Sequence, residues 1–188
     1  QGFALGDIAS AQGSFSGLTA TANPLVWTAT FTPNTNIEDT ATVTVTAGSY
    51  TDVAGNLGTA GSDTTRVDTQ GPAAPTLALT TDSGVSSSDK ITNDGTLTVS
   101  GTETGALVEY STNGTDWSSS FTPAQGSNTV YVRQTDSAGN VSPASPALTF
   151  TYDTAAPSVT VDIAATALKA GETSSVTFTF NEAPQGFA

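Results

Sequence analysis

Short runs in which apolar residues alternate with Thr or Ser recur along the whole chain, a period of two that predicts β-strands. In residues 1–69 the runs are SFSGLTA (14–20), LVWTATF (25–31), TATVTVT (40–46), a short piece around Ser49–Asp52 and a last strand ending at Val67. Trp27, Ala29 and Phe31 share one face of their strand, and Val43 and Val45 share the inner face of theirs. In residues 70–154 the runs are PTLALT (75–80), TLTVSGT (96–102), ALVEYS (106–111), TDWSS, NTVYVRQT (128–135) and PALTFTY (146–152). Asn113-Gly114 between two of them predicts a hairpin in which both turn residues take φ > 0. The alternation gives Leu97, Val99, Val108, Tyr110, Trp117, Val130, Val132, Leu148 and Phe150 as the core of this segment. Residues 155–188 hold SVTVDI (158–163) and SSVTFTF (174–180), joined across Lys169–Glu172, and no stretch has the period of a long helix.

These runs predict an all-β chain of tandem antiparallel β-sandwiches in a linear array. A complete sandwich lies within 70–154. Residues 1–69 supply about five strands, lacking the first two, and 155–188 supply two. The chain also begins QGFA (1–4) and ends QGFA (185–188), a shift of 184 residues. The expectation is one full period of a longer repetitive protein, with 155–188 as the first two strands of the next repeat. They complete a 1–69-type domain in a neighbouring unit, either covalently or by strand donation between chains.

Composition removes several chemistries. The 188 residues include no Cys and no His, so disulfides, thiol nucleophiles, Cys or His zinc sites and a Ser-His-Asp triad are excluded. Four basic residues stand against 17 acidic ones, a net charge of −13 that repels phosphate backbones and excludes nucleic acid as a partner. No apolar run approaches the ~18 residues of a membrane span. Residues 1–30 lack a basic stretch followed by an apolar one, so the window reads as internal to a longer protein or without its leader. Trp27 and Trp117 read as core or hairpin residues before a sugar platform, and carboxylates gathered at loop ends argue against a cleft enzyme.

The acidic residues sit at strand ends and linkers, in a pattern that repeats. TDVAGNL (51–57) and TDSAGNVSP (135–143) each place Asp after a β-rich run, then small residues, then Gly-Asn. Each is followed by one more strand and an Asp-Thr step into prolines, VDTQGPAAP (67–75) and YDTAAP (152–157). In a seven-stranded sandwich the 136–140 loop returns to the end where the chain enters, which brings Asp68, Glu103, Asp136 and Asn140 together. Carboxylates so placed repel one another unless a cation neutralises them, and an all-oxygen set suits Ca²⁺ better than Mg²⁺. By the same reasoning Asp153 and Glu182 meet Asp52 and Asn56 at a second junction, formed only between neighbouring repeats or molecules. Asp52 and Asp136 are 84 residues apart, and Asp68 and Asp153 are 85 apart, as stacked modules of one design require. Asp-x-x-Gly-Asn is also plain turn chemistry. A third oxygen-rich stretch, 82–94 with Asp82 and Asp89, reads first as a solvated loop and second as a cation site.

With these residues in place, the chain resembles the tandem bacterial Ig-like repeats of large calcium-dependent surface adhesins, of the biofilm-associated, type I secreted kind. The marks are VDTQGPAAP, YDTAAP, TDVAGN, TDSAGN, the DSGVSSSDKITN loop, the YSTNGTDW hairpin, and VTFTFNEAPQGFALGD when tail is joined to head. The resemblance implies an extracellular module of the bacterial cell surface that is not an enzyme. It implies an extender rod stiffened by Ca²⁺ at its junctions, with neighbouring repeats or copies as partners. TDSAGNVSP is similar to the Asp-x-Ala-x-Gly-x-Pro calcium motif of cadherins with the proline one position late, and Gln70-Gly71 departs from the commoner short linker. The rival reading is a module that binds a glycan or protein ligand.

Overall fold

The computed structural model describes residues 2–186 and is built of strands. In chain order they are β1 (Ile8–Ala9), β2 (Gly13–Ala20), β3 (Trp27–Pro33), β4 (Glu38–Val45), β5 (Gly61–Asp68), β6 (Thr76–Leu79), β7 (Ile91–Thr92), β8 (Leu97–Ser100), β9 (Leu107–Ser111), β10 (Gly126–Thr135), β11 (Leu148–Tyr152), β12 (Val159–Ile163) and β13 (Val176–Phe180). Among the described residues the one helical piece is a 3-10 turn at Leu5–Asp7, where Ala4 N–H donates to Asp7 Oδ2 at 2.7 Å. The first residue of one QGFA copy and the last two of the other lie outside the described residues.

The chain forms two compact units, each gathering distant parts of the sequence. One unit holds the residues up to Leu79, Leu97–Thr122 and Thr129–Leu148. Here β4 pairs antiparallel with β5 from Glu38↔Asp68 to Val45↔Gly61, and β1 adds to the other edge of β4. The pleat turns Ala41 and Val67 inward, to 0 % and 6 % exposure. β2 pairs with β3, setting Phe15 opposite Phe31 with ring centroids 5.2 Å apart. A register shift between Ser16 and Thr19, with Gly17 at φ 64°, kinks this ribbon as a β-bulge does. β6 pairs with β8, and β9 with β10. The second unit holds Thr80–Thr96, Pro123–Asn128 and the residues from Thr149 on. In it β7 runs parallel to β11, and β12 pairs with β13.

The alternation along β10 is the clearest match between sequence and burial: Val130, Val132 and Gln134 are fully buried while their neighbours are half-exposed. Burying each valine contributes about 1.5–3 kcal/mol. Leu148 and Phe150 are buried as expected, whereas Leu97, Val99, Val108, Tyr110 and Trp117 are only half-buried. Trp117 lies under Arg133, whose guanidinium stands 4.4 Å from the ring centroid, a cation-π contact. Trp27 is 44 % exposed, because the side of β3 that carries it faces an open cleft.

Two local expectations are corrected. No strand forms at Ser49–Asp52; the segment turns, and a single bridge joins Thr51 to Leu57. At Asn113-Gly114 only Gly114 takes positive φ, 77°. Asn113 instead spends its Oδ1 on the N–H groups of Thr115 and Asp116, both at 2.9 Å, and this side-chain turn widens the loop. The hairpin survives through the bridge from Tyr110 to Ser118.

Candidate functional site

The two Asp-x-x-Gly-Asn loops are twins in bonding as well as in sequence. In the first, Asp52 Oδ1 accepts the N–H groups of Ala54 at 2.9 Å and Asn56 at 2.8 Å, and Oδ2 accepts the Asn56 side-chain amide at 2.8 Å. In the second, Asp136 Oδ1 accepts Ala138 N–H at 2.9 Å and Asn140 N–H at 2.8 Å, and Oδ2 accepts Asn140 Nδ2 at 2.9 Å. Bridges Thr51↔Leu57 and Thr135↔Val141 close both at the neck. Gly55 and Gly139 sit at φ 88° and 93°, where a side chain is strained. Each carboxylate is therefore the hub of its own loop.

That bonding holds both acids in the charged form. The side-chain amides of Asn56 and Asn140 are the largest cause that lowers the Asp52 and Asp136 carboxyls below their ordinary 3.8; the backbone N–H groups add to this and burial opposes it. A lowered folded-state pKa means the contribution is complete above the ordinary value and is lost as pH falls through the folded one. Protection of the Ala54, Asn56, Ala138 and Asn140 amides, measured against the intrinsic exchange rate at each pH, is expected to fall below about pH 4, and Asp136→Asn to remove that acid dependence at Ala138 and Asn140. Protection factors at these amides that stay constant down to pH 2 would sink the assignment.

The second loop goes further than the first. Asn140 Nδ2 also donates to Asp68 Oδ1 at 3.2 Å, which accepts Gln70 N–H at 3.2 Å as well. The linker passes the loop closely: a Cβ on Gly71 would stand 3.1 Å from the Val141 carbonyl oxygen. Glu103 is placed by Gln134, whose Oε1 accepts the Glu103 N–H at 2.8 Å while Nε2 donates to Ala73 O at 2.8 Å and Gly101 O at 3.1 Å. Asp68, Glu103 and Asp136 thus line one cleft of about 630 Å³, with Glu38 and Arg66 on its wall. Arg66 pairs with Glu38 at 2.5 Å, leaving four carboxylates to one guanidinium.

Of the first-junction residues, Asp68, Asp136 and Asn140 form one hydrogen-bonded chain and Glu103 faces the same cleft. The carboxylate oxygens of Asp68, Glu103 and Asp136 are the set a hard cation takes, while Asn140 turns its Nδ2 N–H toward two of them. Among the described residues, however, no three His, Cys, Asp or Glu side chains stand close enough together to hold a metal ion. Of the second-junction residues, Asp52 and Asn56 belong to one compact unit, and Asp153 and Glu182 to the other. Asp153 Oδ1 accepts the Gln125 amide at 2.5 Å and Ala155 N–H at 3.0 Å, and Glu182 Oε1 is buried without a hydrogen-bond partner. In the third loop Asp82 Oδ2 accepts Lys90 N–H at 2.9 Å, Oδ1 is buried without a partner, and Asp89 Oδ1 accepts Ile91 N–H at 3.0 Å.

Glu38, Arg66 and Gln134 were not singled out in the sequence. The first two were within reach, since Arg66 shares the face of Asp68 two residues on, and the β4–β5 register sets Glu38 across from Asp68. Gln134 gave no signal, because it occupies an inward position in a run otherwise read by its valines.

Models of the bacterial Ig-like domain match the chain in two places, one over residues 1–69 together with 153–188 and another over 70–154. No curated protein matches it.

Proposed function

The chain belongs to the bacterial Ig-like domain family, and on that premise we propose that it is an extender segment of a bacterial surface adhesin or fibre, with Ca²⁺ stiffening the linker at 68–75. The observation that carries this reading is the acidic cleft that the linker carboxylate Asp68, the loop carboxylate Asp136 and the strand-end carboxylate Glu103 line together. An excess of three negative charges in one cleft favours a dication by charge, and oxygen donors favour a hard one. Asp68, Glu103 and Asp136 would hold the ion, their side chains turning into the cleft they line. Bound Ca²⁺ would supply charge neutralisation and a cross-link between linker and loop. The second junction, Asp52 and Asn56 against Asp153 and Glu182, belongs to successive units in this reading. So does completion of the 1–69 strands by 155–188, supported by the one family model that spans 1–69 and 153–188.

Binding to the folded state alone stabilises it, by about 2.7 kcal/mol at a hundredfold excess over Kd. Millimolar Ca²⁺ is expected to raise the melting temperature and narrow the distribution of lengths seen by small-angle scattering, with chelator reversing both. Glu103→Gln together with Asp68→Asn is expected to abolish the response while leaving the β spectrum intact. Equal melting temperature and length with and without Ca²⁺ would defeat the calcium reading.

The rival reading, a module that binds a glycan or protein ligand, has one observation in its favour. Phe3, Leu25, Trp27, Val45 and Tyr50 line an apolar cleft of about 690 Å³, with Leu25 88 % exposed.

A further inference from the structure

That cleft and the hairpin β12–β13 have complementary surfaces. In the hairpin register Val159, Val161 and Ile163 stand opposite Phe180, Phe178 and Val176, so six apolar side chains share one face. Thr160, Asp162, Thr177 and Thr179 share the other. Four valine and isoleucine side chains of this face are exposed, Val161 to 60 % and Ile163 to 53 %, whereas Phe180 is half-buried. A two-stranded hairpin is at best marginally stable in water, so a face of this kind needs a cover. The cleft has the matching deficit. Phe3 sits edge-on to Trp27 and Tyr50, at 6.0 and 5.8 Å, and the groove beside these rings remains open.

Topology says how the two fit. β2–β3 and β12–β13 are each two-stranded sheets, and β1–β4–β5 has three strands. Laying β13 along the outer edge of β3 makes a four-stranded sheet in the order β12-β13-β3-β2, facing the three-stranded one. That is the four-plus-three division of a seven-stranded Ig sandwich. The alternation agrees: Val176, Phe178 and Phe180 extend the face of Trp27, Ala29 and Phe31, and the threonines of both strands point the other way. The outer edge of β2 is the poorer template, because the irregularity at Ser16–Thr19 breaks its regular spacing.

We propose that the apolar cleft beside Trp27 receives the β12–β13 hairpin of a second copy of this chain, with β13 adding to the edge of β3. The inference rests on the reading that 155–188 completes a 1–69-type domain, and it names the edge, the face and the occupant. One family model spans 1–69 and 153–188 while a separate 70–154 match lies between them. QGFA follows the hairpin and QGFA also leads into β1, so the hairpin of one copy set before the five strands of another gives the segment order of that one family model. Such a contact is heterologous: each copy offers one hairpin and one β3 edge, so copies add head to tail.

The chain contains no Cys, so engineered single cysteines report one contact at a time. Thr30→Cys on β3 is mixed with Thr177→Cys or Thr179→Cys on β13, with Ser16→Cys on β2 as the comparison, and association is followed in parallel by analytical ultracentrifugation. The expected result is concentration-dependent association, an interchain disulfide from Thr30→Cys to one of the β13 variants, none from Ser16→Cys, and loss of association in Phe178→Asp. Association without that disulfide, or with a disulfide to Ser16→Cys, overturns the edge assignment and leaves completion between copies standing. A chain that stays monomeric at every concentration overturns both. A monomer in which the doubly substituted Thr30→Cys, Thr177→Cys chain links to itself assigns the hairpin to its own chain and overturns the second copy.

Discussion

Replacing Gln134 with Leu is expected to lower the unfolding free energy by about 2–4 kcal/mol, although the side chain touches no ligand and forms no ion pair. Gln134 is fully buried, and its amide serves three main-chain groups: it accepts from Glu103 N–H and donates to the carbonyls of Ala73 and Gly101. Leucine has similar volume and greater apolarity, so packing alone favours the substitution. What decides the sign is the set of main-chain groups left without a partner, each costing about 1–3 kcal/mol where water cannot reach it. Urea denaturation monitored by near-ultraviolet circular dichroism measures the change. A loss under about 1 kcal/mol would mean that water reaches all three groups and that the glutamine only fills space. The variant is also expected to weaken any Ca²⁺ response, since Glu103 loses the contact that sets its position on the cleft wall.

Gly58→Val is expected to cost about 1–3 kcal/mol, by overpacking instead of by lost bonding. A Cβ at Gly58 would clash with Cζ and both Cε atoms of the Tyr50 ring, which lies against the glycine. The ring would have to leave, giving up its edge contact to Phe3 and its hydroxyl bond to Thr59 O at 3.2 Å. Gly58 N–H donates to Tyr50 O and Gly48 N–H to Gly58 O, both at 2.8 Å, so the displacement reaches the base of the Asp52 loop. Paired measurements of stability and of Ala54 amide exchange separate the two effects. Unchanged stability with a displaced Tyr50 would show that the ring contributes nothing at this position.

Strand placement was legible because burial follows a period of two, and Val130, Val132, Leu148 and Phe150 announce themselves by it. The short pieces β1 and β7 were not, since two residues cannot display a period; they exist because longer strands offer them an edge. The 51–57 and 135–141 loops were legible as turns, and their Asp, Gly and Asn take the positions that bonding requires. Their chemistry was less so. Sequence spacing says that Asp136 and Asp68 approach one another, but not that Asn140 stands between them as a donor to both. Nor does it say that each loop carboxylate is already engaged by its own backbone. Glu38 and Arg66 enter the cleft through strand register, a property of two runs together that neither run displays alone. Family membership rests on the whole pattern, with matches over 1–69, 70–154 and 153–188.

The parallel pairing of β7 with β11 gives the chain a mechanical grip. Thr151 N–H donates to Lys90 O at 2.8 Å and Asp153 N–H to Thr92 O at 2.9 Å, at the point where the chain leaves β11. Tension drawn along β11 through Asp153 runs parallel to both strands and loads these bonds side by side, so they resist sliding together. The hairpin β12–β13 is loaded differently: its two ends meet at the Val159↔Phe180 pair, and a pull on them opens the ladder one rung at a time. A tethered segment of this design has a firm clasp and a zip in series. Uncovered, the zip is the part that lengthens first under load.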